Sequence, residues 1–258
     1  MLYNIPMKNG EINAFLEGNN MDPIEILKKV EGYYECPKDS DGNRLGKLVG
    51  YAGKYEDSDG NKKQYVGDVY INFSRAEQYP TLMEHFMKIL KKRIEEENLI
   101  ENFDIVCGPQ MGGVVAAAIF ALVANKRYIC AEKKIITLAT DTMREQSKLI
   151  FGRHTLNSGD KVVIMEDVLN NFSTTKETID LIEENGGTVV GIIGMLNRSP
   201  IKSDFYDYKG ANARQIPIIS FIRKDILEYK QDDLFVKIDI EKGNVSWKPK
   251  NEWSTLIK

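Results

Sequence analysis

The chain has 258 residues, 42% of them hydrophobic and 28% charged, with a formal net charge of −3. That composition belongs to a globular protein with a substantial core, enough for one large α/β domain or a core with a smaller appended piece. The slightly acidic balance excludes a general nucleic-acid binder, so any anion site has to be built locally. The opening stretch, MLYNIPMKNGEINAF, lacks the basic-then-apolar layout of a secretion signal. The longest apolar run, Val114 to Ala124, is too short to span a bilayer. The cytoplasm is the expected compartment. Cys36, Cys107 and Cys130 show no metal-ligand or redox spacing, and their odd number argues against a disulfide framework.

In chain order, the first recognisable feature is a repeat of DSDGN, at Asp39–Asn43 and Asp57–Asn61. Strand-like sequence flanks each copy: YYEC, KLVGYAGKY and QYVGDVYINF. Asp-Gly between β-rich runs is a hairpin signal, which predicts a three-stranded antiparallel meander. A calcium loop is the sharper alternative, but the DxDxDG spacing and the distal glutamate are missing. Pro80 then opens a helix. Leu82, Phe86, Ile89, Leu90 and Ile94 recur at helical spacing, while Lys91, Lys92, Glu95, Glu96 and Glu97 face water.

From Phe103 onward apolar strands alternate with helices: FDIVCG, the helix MGGVVAAAIFALVAN, RYICAE, a polar stretch, KVVIMED, the helix TTKETIDLIEEN, TVVGIIGML and IPIISF. This pattern predicts a parallel sheet with right-handed crossovers. Thr174 and Glu177 have capping-box spacing, and Gly186-Gly187 stops the second helix. The closing segment, KIDIEKGNVSWKPKNEWSTLIK, has one short strand-like run and two tryptophans that read as exposed.

The segment KVVIMEDVLNNFSTTKE, Lys161 to Glu177, carries the clearest functional signal. An apolar strand ends in adjacent carboxylates, Glu166 and Asp167, before a polar loop and a helix start. Carboxylates accept hydrogen bonds from sugar hydroxyls, and helix-start amides bind anions. Ligands of open parallel sheets bind at the carboxyl ends of strands, which is where this pair falls. GPQMGG, Gly108 to Gly113, is a second loop between a strand and a helix, and its glycines let backbone amides approach a ligand closely. It is neither a Walker A loop nor a dinucleotide loop. Together the two loops suggest a ligand with phosphates at both ends.

On these residues the chain resembles the type I phosphoribosyltransferases, whose phosphoribosyl pyrophosphate (PRPP) motif is an apolar strand, two acidic residues and a Thr/Gly/Ser loop. YVGDVYINFSRAEQYP, DIVCGPQMGG, LNRSP around Arg198 and PIISFIRKDILEY are further similar to the orotate branch, over roughly Tyr65 to Tyr229. The resemblance implies an α/β fold: a parallel-sheet core with helices on both faces over residues 81–229, a β-rich N-terminal hood over 1–80, and a tail over 230–258 packed on the core or a dimer. It implies a Mg²⁺-dependent enzyme joining PRPP and orotate into orotidine 5′-monophosphate and pyrophosphate.

Site roles follow from the same resemblance. Glu166 and Asp167 would hold the ribose hydroxyls. Asn170, Asn171, Ser173, Thr174 and Thr175 would hold the 5′-phosphate. Gly112 and Gly113 would leave room for pyrophosphate, Lys133 would be the catalytic lysine, and Arg198 would contact the base. Mg²⁺ would be held mainly by PRPP, with no dedicated protein ligands. A flexible loop between Ala131 and Lys161, closing over the site in a homodimer, would supply further cations from Lys148, Arg153, His154 or Arg144. The chain departs from the family pattern at two places. Asn170-Asn171-Phe172-Ser173 replaces a Thr-Thr-Gly-Gly-like start, and Glu132 stands where many relatives have arginine. A transferase for another base and a non-catalytic PRPP-binding regulator are the competing functions, and the β-rich N-terminus shows no helix-turn-helix to support the latter.

Overall fold

The computed structural model describes residues 22–98, 100, 102–137 and 146–256, and the chain divides into two compact units. The first unit holds residues 22–76 and 225–256 among those described. Its opening helix α1 (Pro23–Lys29) starts on proline, and the Asp22 carboxylate accepts from the Ile24 amide at 2.7 Å. Four strands follow, β1 (Tyr33–Glu35), β2 (Leu48–Glu56), β3 (Lys62–Gly67) and β4 (Val69–Ile71), then a single helical turn α2 (Phe73–Ala76).

Both DSDGN copies are turns. Asp39 accepts from the amides of Asp41 and Asn43, and Asp57 repeats the arrangement with Asp59 and Asn61. Gly42 and Gly60 take φ values of 82° and 79°, which glycine adopts without steric cost. The expected meander is not formed, however. Only the second turn joins paired neighbours, β2 and β3, while β1 pairs antiparallel with β4. Asp68 falls between β3 and β4 within QYVGDVYINF, the two halves of which serve different sheets, and its carboxylate pairs with Arg44 and Lys38.

The second unit spans residues 77–224 among those described and contains helix α3 (Pro80–Glu97), β5 (Ile105–Pro109), α4 (Gly113–Ala124), β6 (Arg127–Thr137), β7 (Gln146–Ile150), β8 (Lys161–Leu169), α5 (Ser173–Glu184), β9 (Thr188–Asn197), β10 (Phe205–Tyr208) and β11 (Arg214–Arg223). The strands form one sheet in the order β10-β11-β9-β8-β5-β6-β7. Its five inner strands are parallel, as the alternating pattern predicts. The two edges are antiparallel and were not expected. β7 pairs with β6 in the stretch read as a polar loop, and β10 pairs with β11. Both are short edge strands without an apolar run, held by backbone pairing and by Leu149, Tyr206 and Tyr208 packing on the core.

Strand alternation sorts the core into two layers. Ile105, Cys107, Val162 and Ile164 pack with Ile179 and Ile182 of α5 on one face. Val106, Val163 and Met165 are equally buried and point the other way, where α4 lies against β5 and β8 and α3 lies against α4. In α3 the buried stripe is Leu82, Met83, Phe86, Met87, Leu90 and Ile94; Ile89, expected in the stripe, is 37% exposed. The opposite face carries the (i, i+4) pairs Glu84–Lys88 and Lys91–Glu95.

After β11 the chain returns to the first unit with α6 (Lys237–Glu241) and β12 (Val245–Ser246). β12 pairs parallel with β2, so this part of the tail, expected on the core or a dimer, adds a third strand to the β2–β3 sheet. Trp253, expected to be exposed, is buried with Tyr34, Val49 and Tyr51. All three cysteines are free and buried. Among the described residues no helix is long and apolar enough to cross a membrane.

Phe86 is fully buried, with its ring 4.8 Å from that of Phe221. Phe86→Ala should lower the unfolding free energy by about 3–5 kcal/mol, measured as a reduced denaturant midpoint. A change below about 1 kcal/mol would mean that the α3 stripe is not part of this core.

Candidate functional site

The site forms at the carboxyl end of β8, the middle strand of the sheet. Because successive side chains leave a strand on opposite faces, the two carboxylates part there. Glu166 continues the face of Val162 and Ile164 and meets α5, where the Thr175 hydroxyl donates to its Oε1 at 3.4 Å. Asp167 continues the face of Met165 and lies directly over Gly112, where any added Cβ would collide with its carboxylate. Gly112 is therefore the floor on which Asp167 rests.

Glu166 is buried and Asp167 half-buried, and both are raised above their ordinary values. Burial, followed by the Asp167 charge, pushes Glu166 up to about 8, against the opposing Thr175 bond. Burial also raises Asp167, against the pull of the Val168 amide, which donates to its Oδ1 at 2.8 Å. An ionised carboxylate loses hydration when buried and recovers it only through partners. These partners are few.

A cleft of about 210 Å³ opens on this pair. Gln110 and Gly112 line it from the glycine-rich loop, residues 166–168 from the strand end, and residues 170–175 from the loop and helix start. The structure thus brings together Gly112, Glu166, Asp167, Asn170, Asn171, Ser173, Thr174 and Thr175. Gly113 is not among the lining residues. Its missing side chain lets α4 begin against β8, since a Cβ there would strike the Met165 carbonyl oxygen and Pro109. Gln110 was missed by sequence reasoning. Its Oε1 accepts from the Lys133 amide at 3.0 Å and so ties β6 to the glycine-rich loop. A polar side chain inside a Gly-rich turn was the available signal.

The helix start differs from the expected capping box. α5 begins at Ser173, so Thr174 lies inside the helix and its carbonyl accepts from the Thr178 hydroxyl at 2.8 Å. Asn171 does the capping: its Oδ1 accepts from the Ser173 amide at 3.1 Å and the Ser173 hydroxyl at 2.8 Å. Phe172 takes a left-handed φ of 58°, and its ring turns into the core to stack on Tyr206, 4.8 Å away and inclined by 14°. Holding such a residue left-handed costs about 1–2 kcal/mol. Burying its side chain contributes about 1.5–3 kcal/mol and the ring pair about 0.5–1.5 kcal/mol, so burial wins.

The expected cations scatter. Lys133 is exposed on β6 beside Gln110, and Lys148 is exposed on β7 opposite Lys134. Arg153 pairs with Glu132 at 2.8 Å, so the departure at Glu132 is matched within the chain rather than left as a bare charge. His154 accepts the Cys130 amide at 3.2 Å through Nδ1 and packs edge-on against Tyr128, a role in holding β6. Arg144 lies outside the described residues. Arg198 follows β9 at the same end of the sheet, its amide donating to the Leu169 carbonyl at 3.0 Å, but it does not line the cleft.

No family model matches the chain. Two curated relatives are both named orotate phosphoribosyltransferase. The one from Caldanaerobacter subterraneus is 26% identical over 166 residues, 64% of this chain and 75% of the relative. The one from Pyrococcus horikoshii is 27% identical over 155 residues, 60% of this chain and 78% of the relative. Among solved structures, the orotate phosphoribosyltransferase of Aeropyrum pernix superposes with a TM-score of 0.47 at 18% identity, covering 78% of this chain and 92% of its own. The likeness read from the sequence is found again in these relatives.

The raised Glu166 has a consequence for stability. Between its ordinary value of 4.5 and about 8, the folded protein keeps a proton that the unfolded chain has lost. Stability therefore falls as pH rises through that window and levels off above it; the raised Asp167 acts with the same sign, starting from its lower ordinary value. Glu166→Gln should flatten most of that slope in urea unfolding followed from about pH 5 to about pH 9. A slope equal to wild type would assign the ionisation to other groups.

Proposed function

We propose that this protein is a phosphoribosyltransferase that joins PRPP and orotate to give orotidine 5′-monophosphate and pyrophosphate. The observation that carries this reading is the meeting, in one cleft, of a buried and a half-buried carboxylate, a glycine floor and the hydroxyl-bearing start of a helix. The names of the curated relatives support it.

Each part of the cleft meets a demand of the reaction. Ribose hydroxyls need hydrogen-bond partners at fixed positions, and Glu166 and Asp167 offer oxygens from opposite faces of one strand. The 5′-phosphate needs donors, which Ser173, Thr174 and Thr175 supply through hydroxyls and first-turn amides. The bond from ribose C1 to the pyrophosphate oxygen then breaks, and its electron pair leaves with pyrophosphate. A base nitrogen supplies the pair for the new C1–N bond, and the proton of its N–H is given up to the departing pyrophosphate or to water. Positive charge grows at C1 meanwhile, and an ionised carboxylate held nearby would stabilise it, Glu166 adding its charge only once it loses its proton, near pH 8.

The pyrophosphate end would lie over Gly112, with Gln110 and Lys133 beside it. Among the described residues no three His, Cys, Asp or Glu side chains converge as a metal cluster. As the family resemblance implies, a Mg²⁺ ion would be held chiefly by the phosphate oxygens of PRPP, where it would neutralise charge on the leaving group. Arg198 sits at the same sheet edge and is assigned to the base. Closure by the β6–β7 region and a homodimer belong to the same reading.

The test is turnover with PRPP, Mg²⁺ and orotate, followed as loss of orotate absorbance and repeated with purine bases and uracil. Turnover restricted to another base would remove orotate, and tight PRPP binding without turnover would favour a regulator. Asp167→Asn should cut kcat on the order of a hundredfold with the fold intact by circular dichroism; full activity would take Asp167 out of the ribose clamp. Arg198→Ala should raise KM for the base several-fold more than KM for PRPP. Equal shifts would take Arg198 out of the base site.

A further inference from the structure

Phe172 occupies a position where the turn into α5 requires a left-handed residue, a conformation glycine enters at no steric cost. Its ring is nonetheless 5% exposed and lies nearly parallel to Tyr206, with centroids 4.8 Å apart. Tyr206 belongs to β10, where it pairs with Ile216 of β11, and it does not line the cleft. Phe172 and the residues on either side of it line the cleft. Asn171 accepts from the amide and hydroxyl of Ser173, and the Phe172 carbonyl accepts from the Lys176 amide at 2.8 Å. One aromatic anchor thus stands in the middle of the loop read above as the phosphate site, and the inference rests on that reading.

We propose that Phe172 is a positioning residue whose ring, clamped on Tyr206, holds residues 170–175 in their phosphate-receiving arrangement before ligand arrives. A glycine at the same place would leave the turn free to sample other conformations, and binding would have to supply the ordering. Here the core supplies it. The affinity for the phosphate end of the ligand then depends on Tyr206, a residue beyond the ligand's reach.

The experiment uses the full chain with Tyr206→Ala, the conservative control Tyr206→Phe, Phe172→Gly, and the double variant Tyr206→Ala with Phe172→Gly. Ribose 5-phosphate affinity is measured by calorimetry, and KM for PRPP and for the base by steady-state turnover. Tyr206→Ala and Phe172→Gly should each weaken ribose 5-phosphate binding and raise KM for PRPP by about two- to tenfold, the range one aromatic pair is worth. KM for the base should stay put, Tyr206→Phe should match wild type, and the double variant should be no worse than the weaker single one. If Tyr206→Ala does not fold, Tyr206→Leu keeps the apolar bulk, loses the flat ring and carries the same test.

A purely structural role would lower the melting temperature and the active fraction while leaving ribose 5-phosphate affinity and KM for PRPP unchanged, and that result overturns the proposal. Additive effects in the double variant also overturn it. Ribose 5-phosphate binding by wild type without turnover of any base would sink the enzyme reading alone, since the calorimetric affinities still judge the anchor. Wild type that binds neither ribose 5-phosphate nor PRPP overturns both.

Discussion

A buried glutamate and a half-buried aspartate, adjacent at the end of the central strand, set the terms for the cleft around them. A buried carboxylate is costly unless it is hydrogen-bonded or protonated. Alternation along β8 prevents Glu166 and Asp167 from sharing partners, so each face of the sheet must provide its own. Among the described residues, one face offers Glu166 the long bond from Thr175, and the other offers Asp167 the amides of its own strand end, with Gly112 beneath it. The result is a pair titrating above the ordinary carboxylate range, an arrangement a fold selected for stability alone would avoid.

The two helices that begin beside this pair are held in place by opposite means. α4 comes close because its first residues have no side chains: Gly113 sits against the Met165 carbonyl, and Gly108 faces Gly113 and Ala117 across gaps that a Cβ would fill. α5 is fixed by bulk, through the Phe172 ring stacked on Tyr206. Removing side chains brings backbone amides to the ligand at one loop. At the other, a large side chain is seated in the core beside Tyr206, so the two loops around one cleft have opposite compositions.

Much of this was legible along the chain. The inner strands and the helices α3 to α5 announce themselves through apolar runs and helical spacing, because a residue buried in a regular element repeats at that element's period. The acidic pair followed by a polar loop located the site, and its face assignment follows from strand alternation. The edge strands β7 and β10 did not announce themselves, since a half-exposed strand needs only a backbone partner and QSKLI or FYDY can belong to a loop equally well. The cations read as loop residues illustrate the same limit. Arg153 and His154 carry the chemistry of a catalytic loop in isolation, yet their partners are Glu132 and the Cys130 amide.

By itself, the sequence determined the alternating α/β pattern, the place where the strand ends in Glu166 and Asp167, and the glycine-rich turn that faces them. These are local properties, set by the period of apolar residues and by what glycine permits in a turn. Only the tertiary structure decided that β1 seeks β4, that the C-terminal β12 completes the first sheet, and that the Phe172 ring leaves the cleft for Tyr206. Each of those outcomes depends on a partner far along the chain, and a contact between distant segments exists only once the backbone between them has been folded.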